Sequence, residues 1–427
     1  MINIFWFRRD LRLEENSALN EALSTGLPVL PIFIFDTNIT GELKPDDARV
    51  CFIHDTLSSI DKELKKWGSS LYIMNGDPQK IWQELISSLE INSVFINKDY
   101  EPYAIQRDSV IENLLRKNNI PLKKYKDQII FEEKEILKSD NTPYTVFTPY
   151  KNRWLQKLFD NQPLKDIDKS IFRKDFYKCS YVFPTLENLK FKQSSVKVRP
   201  YDLSALNEYE KFRDLPFADK TSYLSPHLRF GTIGIRSLVS LALKTNQTFL
   251  SELIWREFFM QILFNFPGVV TESFRSKYNG IEWLNKEDDF KKWGNGETGY
   301  PIVDAGMRQL NETGYMHNRI RMVTAGFLCK HLLIDWRWGE AFFAEKLLDY
   351  ELSSNNGNWQ WASGTGCDAA PYFRIFNPSS QQKRFDPKME YIRKWVPDFE
   401  KSSYPKPIID HDFARKRAIE TYKSGIK

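Results

Sequence analysis

Between Asn355 and Pro378 the chain reads Asn-Asn-Gly-Asn-Trp-Gln-Trp-Ala-Ser-Gly-Thr-Gly-Cys-Asp-Ala-Ala-Pro-Tyr-Phe-Arg-Ile-Phe-Asn-Pro. No packing rule calls for Trp359, Trp361, several side-chain amides, turn glycines and an Arg374-Ile-Phe-Asn-Pro exit in so short a span. Flat rings beside amide groups suit a pocket that grips a flat ligand with polar edges. In Glu252-Leu-Ile-Trp-Arg-Glu-Phe258, the residues Glu252, Trp255 and Arg256 fall at i, i+3 and i+4 and share one face of a helix. A ring beside a carboxylate on one face suits a cavity wall for a flat ligand with a polar edge, although an exposed surface pair has the same spacing. In Tyr315-Met-His-Asn-Arg-Ile-Arg-Met322, the residues Asn318, Arg321 and Met322 repeat the pattern, with Ile320, Val323 and Phe327 as the core stripe opposite. A soft thioether between polar groups suits an adaptable ligand contact.

Two further segments add hydroxyls and charge. Thr221-Ser-Tyr-Leu-Ser225 sets hydroxyls in a turn ahead of a helix predicted to open at Pro226. Hydroxyls and free N–H groups at a helix start cradle an anion, and they serve equally well as ordinary caps. Asp349-Tyr-Glu-Leu-Ser-Ser-Asn355 supplies two acids and an amide, and the apolar Leu347, Leu348 and Leu352 around them argue against a solvated acidic turn. By contrast, Gly294-Asn-Gly-Glu-Thr-Gly299 spells G-x-G-x-x-G but follows the charged run 286–292 instead of a strand, and Pro301 comes at once. A dinucleotide fingerprint needs a strand before it and a helix start after it, so none is read here.

Positioning these groups takes two kinds of architecture. Residues 1–127 alternate short apolar strands, predicted at 2–7, 29–35, 70–74, 93–97 and 122–125, with helices at 17–24, 47–67, 78–89 and 103–117. That alternation predicts an α/β domain with a doubly wound parallel sheet. A ligand there would sit at the carboxyl ends of the strands, near the Phe7–Arg12 and Asn97–Pro102 turns. From 128 to 200, Lys-, Asp-, Pro- and Ser-rich text with isolated aromatics reads as a connector with one helix near 149–159. From 201 to 427 helical periodicity takes over and predicts an all-α domain that carries every segment singled out above.

A chain of 427 residues gives both domains ample core. Aromatics make up 15%, and eight of the 12 tryptophans lie beyond residue 250, as a well-filled helical core would also require. The net charge of +5 permits nucleic-acid binding without announcing it. The basic stretch of Arg415, Lys416, Arg417, Lys423 and Lys427 reads equally well as a solvated tail. Cys51, Cys179, Cys329 and Cys367 lie far apart, and the five histidines show no ligand spacing, so neither a disulfide framework nor a metal site is expected. The apolar run at the N-terminus is too short for a signal peptide and nothing reaches the length of a membrane span. A cytoplasmic protein is expected.

Taken together, the three long motifs resemble the DNA photolyase/cryptochrome family, in the family's order and over essentially the whole chain. The resemblance implies an N-terminal α/β antenna domain and a C-terminal helical domain that holds FAD. In the repair branch it implies a carbon–carbon lyase: light drives an electron from reduced FAD into a cyclobutane pyrimidine dimer in DNA, which splits and returns it. The lesion must leave the base stack to reach the cofactor, and the protein positions both and excludes water. The resemblance assigns Tyr209, Thr221, Ser222, Tyr223, Leu224, Ser225, Arg321, Asp349, Tyr350, Glu351 and Asn355 to FAD, with Arg321 paired to Asp349 and with Asp349 and Asn355 toward the flavin ring. It assigns Glu252, Trp255, Asn318, Met322 and Trp361 to the lesion and Arg213, Arg374 and Gln381 to the DNA. Trp283, Trp336 and Trp359 match an electron-transfer chain from surface to flavin.

Glu252 and Met322 favour cyclobutane dimers. The branch that repairs (6-4) photoproducts carries Gln at the first place and a His pair in the second motif, whereas here His317 precedes Asn318. Glu351 stands where the dimer branch has Asp, and Phe249 and Tyr315 stand where it often has Trp. Folate-binding members carry a glutamate at the place of Ala104, so a second, antenna chromophore is as readily a deazaflavin or another flavin as a folate, and an empty site stays open. Damaged DNA is the expected partner, with no membrane, and a monomer is expected. The alternative is a cryptochrome-type blue-light sensor that binds FAD without repairing DNA. Such sensors carry a long variable C-terminal extension, which the short text after Trp395 does not supply. A flavoprotein oxidoreductase lacks support because no hydride-donor site is visible.

Overall fold

The computed structural model describes residues 1–161, 164 and 175–426. Part of the predicted connector (162–163 and 165–174) and Lys427 of the basic tail lie outside the described residues. The near-continuous apolar runs of the N-terminal third become the strands β1 (Ile2–Phe7), β2 (Val29–Asp36), β3 (Tyr72–Gly76), β4 (Ile91–Asn97) and β5 (Leu122–Tyr125). They form one parallel sheet in the order β3-β2-β1-β4-β5. β1 and β2 are buried along their whole length, as central parallel strands covered on both faces must be. Helices Ser17–Ser24, Ala48–Lys66, Pro78–Ser88 and Pro102–Lys117 connect the strands. The first three start where Asn16, Asp47 and Asp77 accept an N–H bond from the first turn. One sheet face packs Phe5, Phe7, Leu19, Leu57 and Leu64, and the other packs Ile4, Trp6, Trp82 and Leu115. The chain winds outward from β1 to β3 and then returns as β4 and β5 on the other side, so the switch point lies between β1 and β4.

β3 starts two residues later than the predicted strand. The Leu71 N–H donates to Asp61 Oδ1 at 2.9 Å instead of to a neighbouring strand, and Tyr72, stacked on Tyr181 at 4.0 Å, opens the ladder.

The chain packs as two compact units, 1–135 with 155–201 and 223–244, and 136–154 with 202–222 and 245–427. The predicted connector is therefore divided between them. Its later part belongs to the first unit, where Phe176 bridges to Val29 and stacks on Trp67. In the second unit helices Gln247–Asn265, Pro301–Thr313, Asn318–Gly326, Trp336–Lys346, Leu352–Ser363, Pro378–Phe385 and His411–Gly425 enclose a core of Trp293, Met307, Ile320, Leu328, Trp336, Phe343 and Trp359. The Gly294–Gly299 stretch begins in the last turn of helix Glu287–Asn295, and its N–H groups at Thr298 and Gly299 donate to the Asp304 carboxylate. It is a turn between helices. Among the described residues no helix is long and apolar enough to cross a membrane.

Candidate active site

Helix Gln247–Asn265 begins where Asn246 Oδ1 accepts the Phe249 N–H at 2.8 Å. It is apolar nearly all round, and most of it is buried. Glu252, Trp255 and Arg256 are half-buried while Leu253, Ile254, Glu257 and Phe258 are buried, so the three predicted residues lie along the open face. Arg213 Nη2 meets Glu252 Oε1 at 2.9 Å. Burial pushes the Glu252 carboxyl above its ordinary range, against the opposing pull of Arg213. The Arg213 guanidinium lies over the Tyr209 ring, which packs edge-on against Phe249 at 5.2 Å. Phe249, a departure from the family pattern, thus serves as the floor under Tyr209.

Trp255 carries Phe147 stacked on it, with centroids 3.7 Å apart and planes 8° from parallel. Phe147 is in turn fixed by its N–H donating to Asp368 Oδ2 at 3.0 Å. One helical turn along, Tyr150 O–H and Trp154 Nε1–H donate to the buried Glu257 at 3.3 and 2.7 Å. That residues of the predicted connector back this wall was not foreseen, because nothing in their local pattern points to it.

Helix Asn318–Gly326 is capped by His317, whose Nδ1 accepts the Arg319 N–H at 3.1 Å. That bond places the ring proton on Nε2, which is buried with no hydrogen-bond partner among the described residues. Burial, with Arg319 and Arg321 adding to it against Asp214, pulls His317 down to about 4, so the ring is neutral. Asn318 is exposed, and Arg321 and Met322 are half-buried. Arg321 Nη2 meets Asp349 Oδ2 at 2.9 Å, the pairing expected, and Arg321 Nε donates to Met316 O. The other oxygen, Asp349 Oδ1, is buried and unpartnered among the described residues. An orphaned carboxylate oxygen is costly unless a ligand supplies a donor. This is the observation by which the residues fit a flavin nucleotide.

The other acid and the amide are committed elsewhere. Glu351 meets Arg256 Nη2 at 3.3 Å and accepts from Ser354 Oγ at 3.0 Å. Asn355 Nδ2 donates to the Glu340 backbone and side chain at 3.0 and 3.1 Å, which leaves its carbonyl oxygen to offer a ligand. Tyr350 packs half-buried against the central core.

At Thr221–Ser225 the helix opens at Leu224 and not at Pro226 as predicted. Tyr223 takes a left-handed φ of 51°, which turns the chain into the helix early and leaves the proline in the first turn, where it is tolerated. No side chain caps this start, so the ordinary capping reading of the hydroxyls fails here.

Met322, Lys330, Trp361, Ala370, Arg374 and Phe376 line one cavity in the second unit, which brings three predicted lesion or DNA residues from separate segments together. Arg374 is exposed and Gln381 half-buried on helix Pro378–Phe385. Trp336 and Trp359 are buried in one cluster, and Trp283 packs partly buried against it, edge-on to Tyr422 at 5.8 Å. Gly339, one turn after Trp336, lets the Trp359 ring approach, since a Cβ there would lie 2.1 Å from it. Trp293, which the motif reading passed over, sits 6.2 Å from Trp359.

Comparison with known proteins gives the family. Residues 3–168 match the family model of DNA photolyase, and residues 249–403 match that of the FAD binding domain of DNA photolyase. The deoxyribodipyrimidine photo-lyase of Agrobacterium fabrum is 35% identical over 98% of this chain and 97% of its own. A bacterial class III photolyase from Agrobacterium tumefaciens superposes with a TM-score of 0.87 at 32% identity, covering 99% of this chain and 97% of that one. An archaeal photolyase from Sulfolobus tokodaii, solved with two FAD molecules, superposes at 0.86 with 35% identity over 99% of this chain and all of that one. With its sheet, its helical unit and both family models in register, the chain belongs to the DNA photolyase family.

Proposed function

We propose that the protein is a deoxyribodipyrimidine photo-lyase that splits cyclobutane pyrimidine dimers in DNA with light. The placing of Glu252, Trp255 and Arg256 along one open face, with Glu252 held by Arg213, carries this reading. FAD, when bound, supplies the light-driven electron that the dimer takes and returns. Asp349, held by Arg321, offers its second oxygen to a donor on that nucleotide. Tyr209, Tyr350, Glu351 and Asn355 shape the surroundings, and the hydroxyls of Thr221, Ser222 and Ser225, none of which caps the helix that follows, are assigned to the nucleotide with Tyr223 and Leu224.

Glu252, braced by Arg213, meets the pyrimidine edge, and Trp255 stacks a base on the face opposite Phe147. Asn318, Met322 and Trp361 complete a wall that takes the flipped lesion out of water. Arg374 and Gln381 meet the DNA backbone, while Trp359, Trp336 and Trp283 pass an electron inward. A sensor that never repaired DNA would leave the Glu252–Arg213 brace without a task. The same reading makes the protein a cytoplasmic monomer.

Illuminating the purified protein with a dimer-containing oligonucleotide tests this directly, and dimers left intact would refute it. Asp349→Asn is expected to weaken FAD retention roughly ten- to a hundredfold, the equivalent of about 1.5–3 kcal/mol for a charged hydrogen bond. Flavin absorbance after gel filtration reads this out. Affinity for damaged DNA should fall as salt rises, with a log–log slope of about 0.9 for each phosphate neutralised by Arg374 and its neighbours. A binding constant unmoved by salt would count against the DNA interface.

In the first unit Arg8 pairs with Asp108, yet its Nε and Nη2 are buried without partners among the described residues. Nearby, burial alone would raise Asp99, but Arg9 and Arg229 hold it down at about 2. This polar end of the sheet, at the switch between β1 and β4, suits a second chromophore, and another flavin is the reading the archaeal relative favours. Two equivalents of FAD released on denaturation are expected, and one equivalent would mean an empty site or another chromophore.

A further inference from the structure

Lys330 lies in a five-residue π-helical turn, Phe327–His331, directly after helix Asn318–Gly326. It is 2% exposed. The ammonium donates to Ser363 O at 2.7 Å and Tyr372 O at 3.3 Å, and it lies 3.6 Å from the centre of the Tyr422 ring. Tyr422 O–H donates to the same Ser363 carbonyl at 2.7 Å. None of these partners is a carboxylate. Burying a charge among neutral groups is costly, and a methionine would fill the space without that cost. The charge must therefore do something that packing does not.

Its two carbonyls indicate what. Ser363 closes the helix that carries Trp359 and Trp361, and Tyr372 lies in the segment 364–377 that carries Ala370, Arg374 and Phe376. Lys330 itself lines the cavity these residues share with Met322. The front of that segment is held by Arg275 Nη2 on Cys367 O and by the Phe147 N–H on Asp368, both at 3.0 Å. Toward residue 372 the segment is tied from outside by Lys330, by the Tyr372–Tyr422 ring stack and by packing of Tyr372 and Ile375 on the cluster of Tyr278, Leu333 and Tyr422, and Lys330 supplies the polar tie to its backbone. Space has been left for the ammonium: Gly364, at a φ of 86°, would bring a Cβ to 3.2 Å from Nζ.

We propose that Lys330 is a positioning residue for lesion binding, whose ammonium clasps Ser363 to Tyr372 and so sets the wall of the pocket that receives the flipped dimer. The proposal rests on the repair reading above. Among the described residues the amine sits beside the Cys329 thiol and the Tyr422 phenol, both pushed up by burial and so neutral, and it shares the cavity lining with Arg374. With no counter-charge, burial lowers the amine to about 7. Below that pH the clasp is charged. Above it the amine still donates, but without the charge assistance that roughly doubles such a bond.

Fold stability moves the opposite way. Lys330 titrates at about 7 when folded against 10.5 when free. Between those values the unfolded chain holds a proton that the folded one lacks, so folding gains with rising pH. A loss of lesion affinity in that window is therefore not a loss of fold.

The test uses full-length, FAD-loaded protein in the dark. Anisotropy of a labelled duplex, with and without a dimer, is followed at mildly acidic and mildly alkaline pH for wild type, Lys330→Met and Lys330→Arg. Hydrogen exchange of residues 364–377 is measured without DNA. Wild type should lose dimer affinity severalfold as pH rises through 7. Lys330→Met should bind about tenfold more weakly at acidic pH, with no pH step and with faster exchange in 364–377. Lys330→Arg, charged throughout, should keep its affinity and lose the step. Wild-type affinity and exchange in Lys330→Met would overturn the clasp. A protein that bound dimer and intact duplex equally at every pH would refute the repair reading, while exchange would still judge the clasp.

Discussion

Replacing Trp336 by phenylalanine is expected to slow light-driven reduction of the resting flavin by orders of magnitude while leaving repair by chemically pre-reduced protein nearly unchanged. An electron crosses a protein by short hops between oxidisable rings, and a phenyl ring is too hard to oxidise to serve as a step. Trp336 is fully buried in the cluster that holds Trp359, and its indole N–H has no hydrogen-bond partner among the described residues. The substitution therefore removes ring volume and breaks no hydrogen bond, which keeps its structural cost to that of a small cavity. Flavin bleaching under blue light, measured beside a thermal melt, separates the two effects. Normal bleaching in Trp336→Phe would remove this ring from the path and point to Trp293, which also approaches Trp359.

Glu252→Ala should have the opposite signature, with photoreduction intact and dimer repair weakened. The carboxylate sits 2.9 Å from Arg213 on the open face of a buried helix. Its loss leaves a lesion edge without its charged partner and Arg213 without its brace, at a cost of about 1–3 kcal/mol, or roughly five- to a hundredfold in dimer affinity. Glu252→Gln, which keeps the shape and one acceptor, should fall between. Equal damage to both activities by Trp336→Phe and Glu252→Ala would rule out the division of roles.

Features that depend on local periodicity were legible in the sequence. Unbroken apolar runs such as Ile2–Phe7 marked central parallel strands, and the i, i+3, i+4 spacing put Glu252, Trp255 and Arg256 along one face. The Arg321–Asp349 pair was also foreseen, but from resemblance to a family. Contacts between residues distant in sequence were not legible. Phe147 lies in charged, irregular text, and nothing local says that it stacks on Trp255 more than 100 residues on. Tyr223 is no glycine, so its left-handed turn left no compositional trace, and the helix start was placed late. The tie of Asn355 Nδ2 to Glu340 also left no trace in the sequence, because it links two helices that no motif joins.

The order in which the chain visits its two units limits how such a protein can be rebuilt. It passes from one to the other after residues 135, 154, 201, 222 and 244. A shortened chain starting at residue 201 would retain every segment assigned above to the lesion, the DNA and the flavin, yet it would lose Phe147, Tyr150 and Trp154. Glu257, deep in the central helix, would then face the interior without the phenol and indole that solvate it. Swapping halves between relatives at one crossover would transplant sequence without the parts that complete it. Exchanging one unit of this chain whole would therefore take five junctions instead of one.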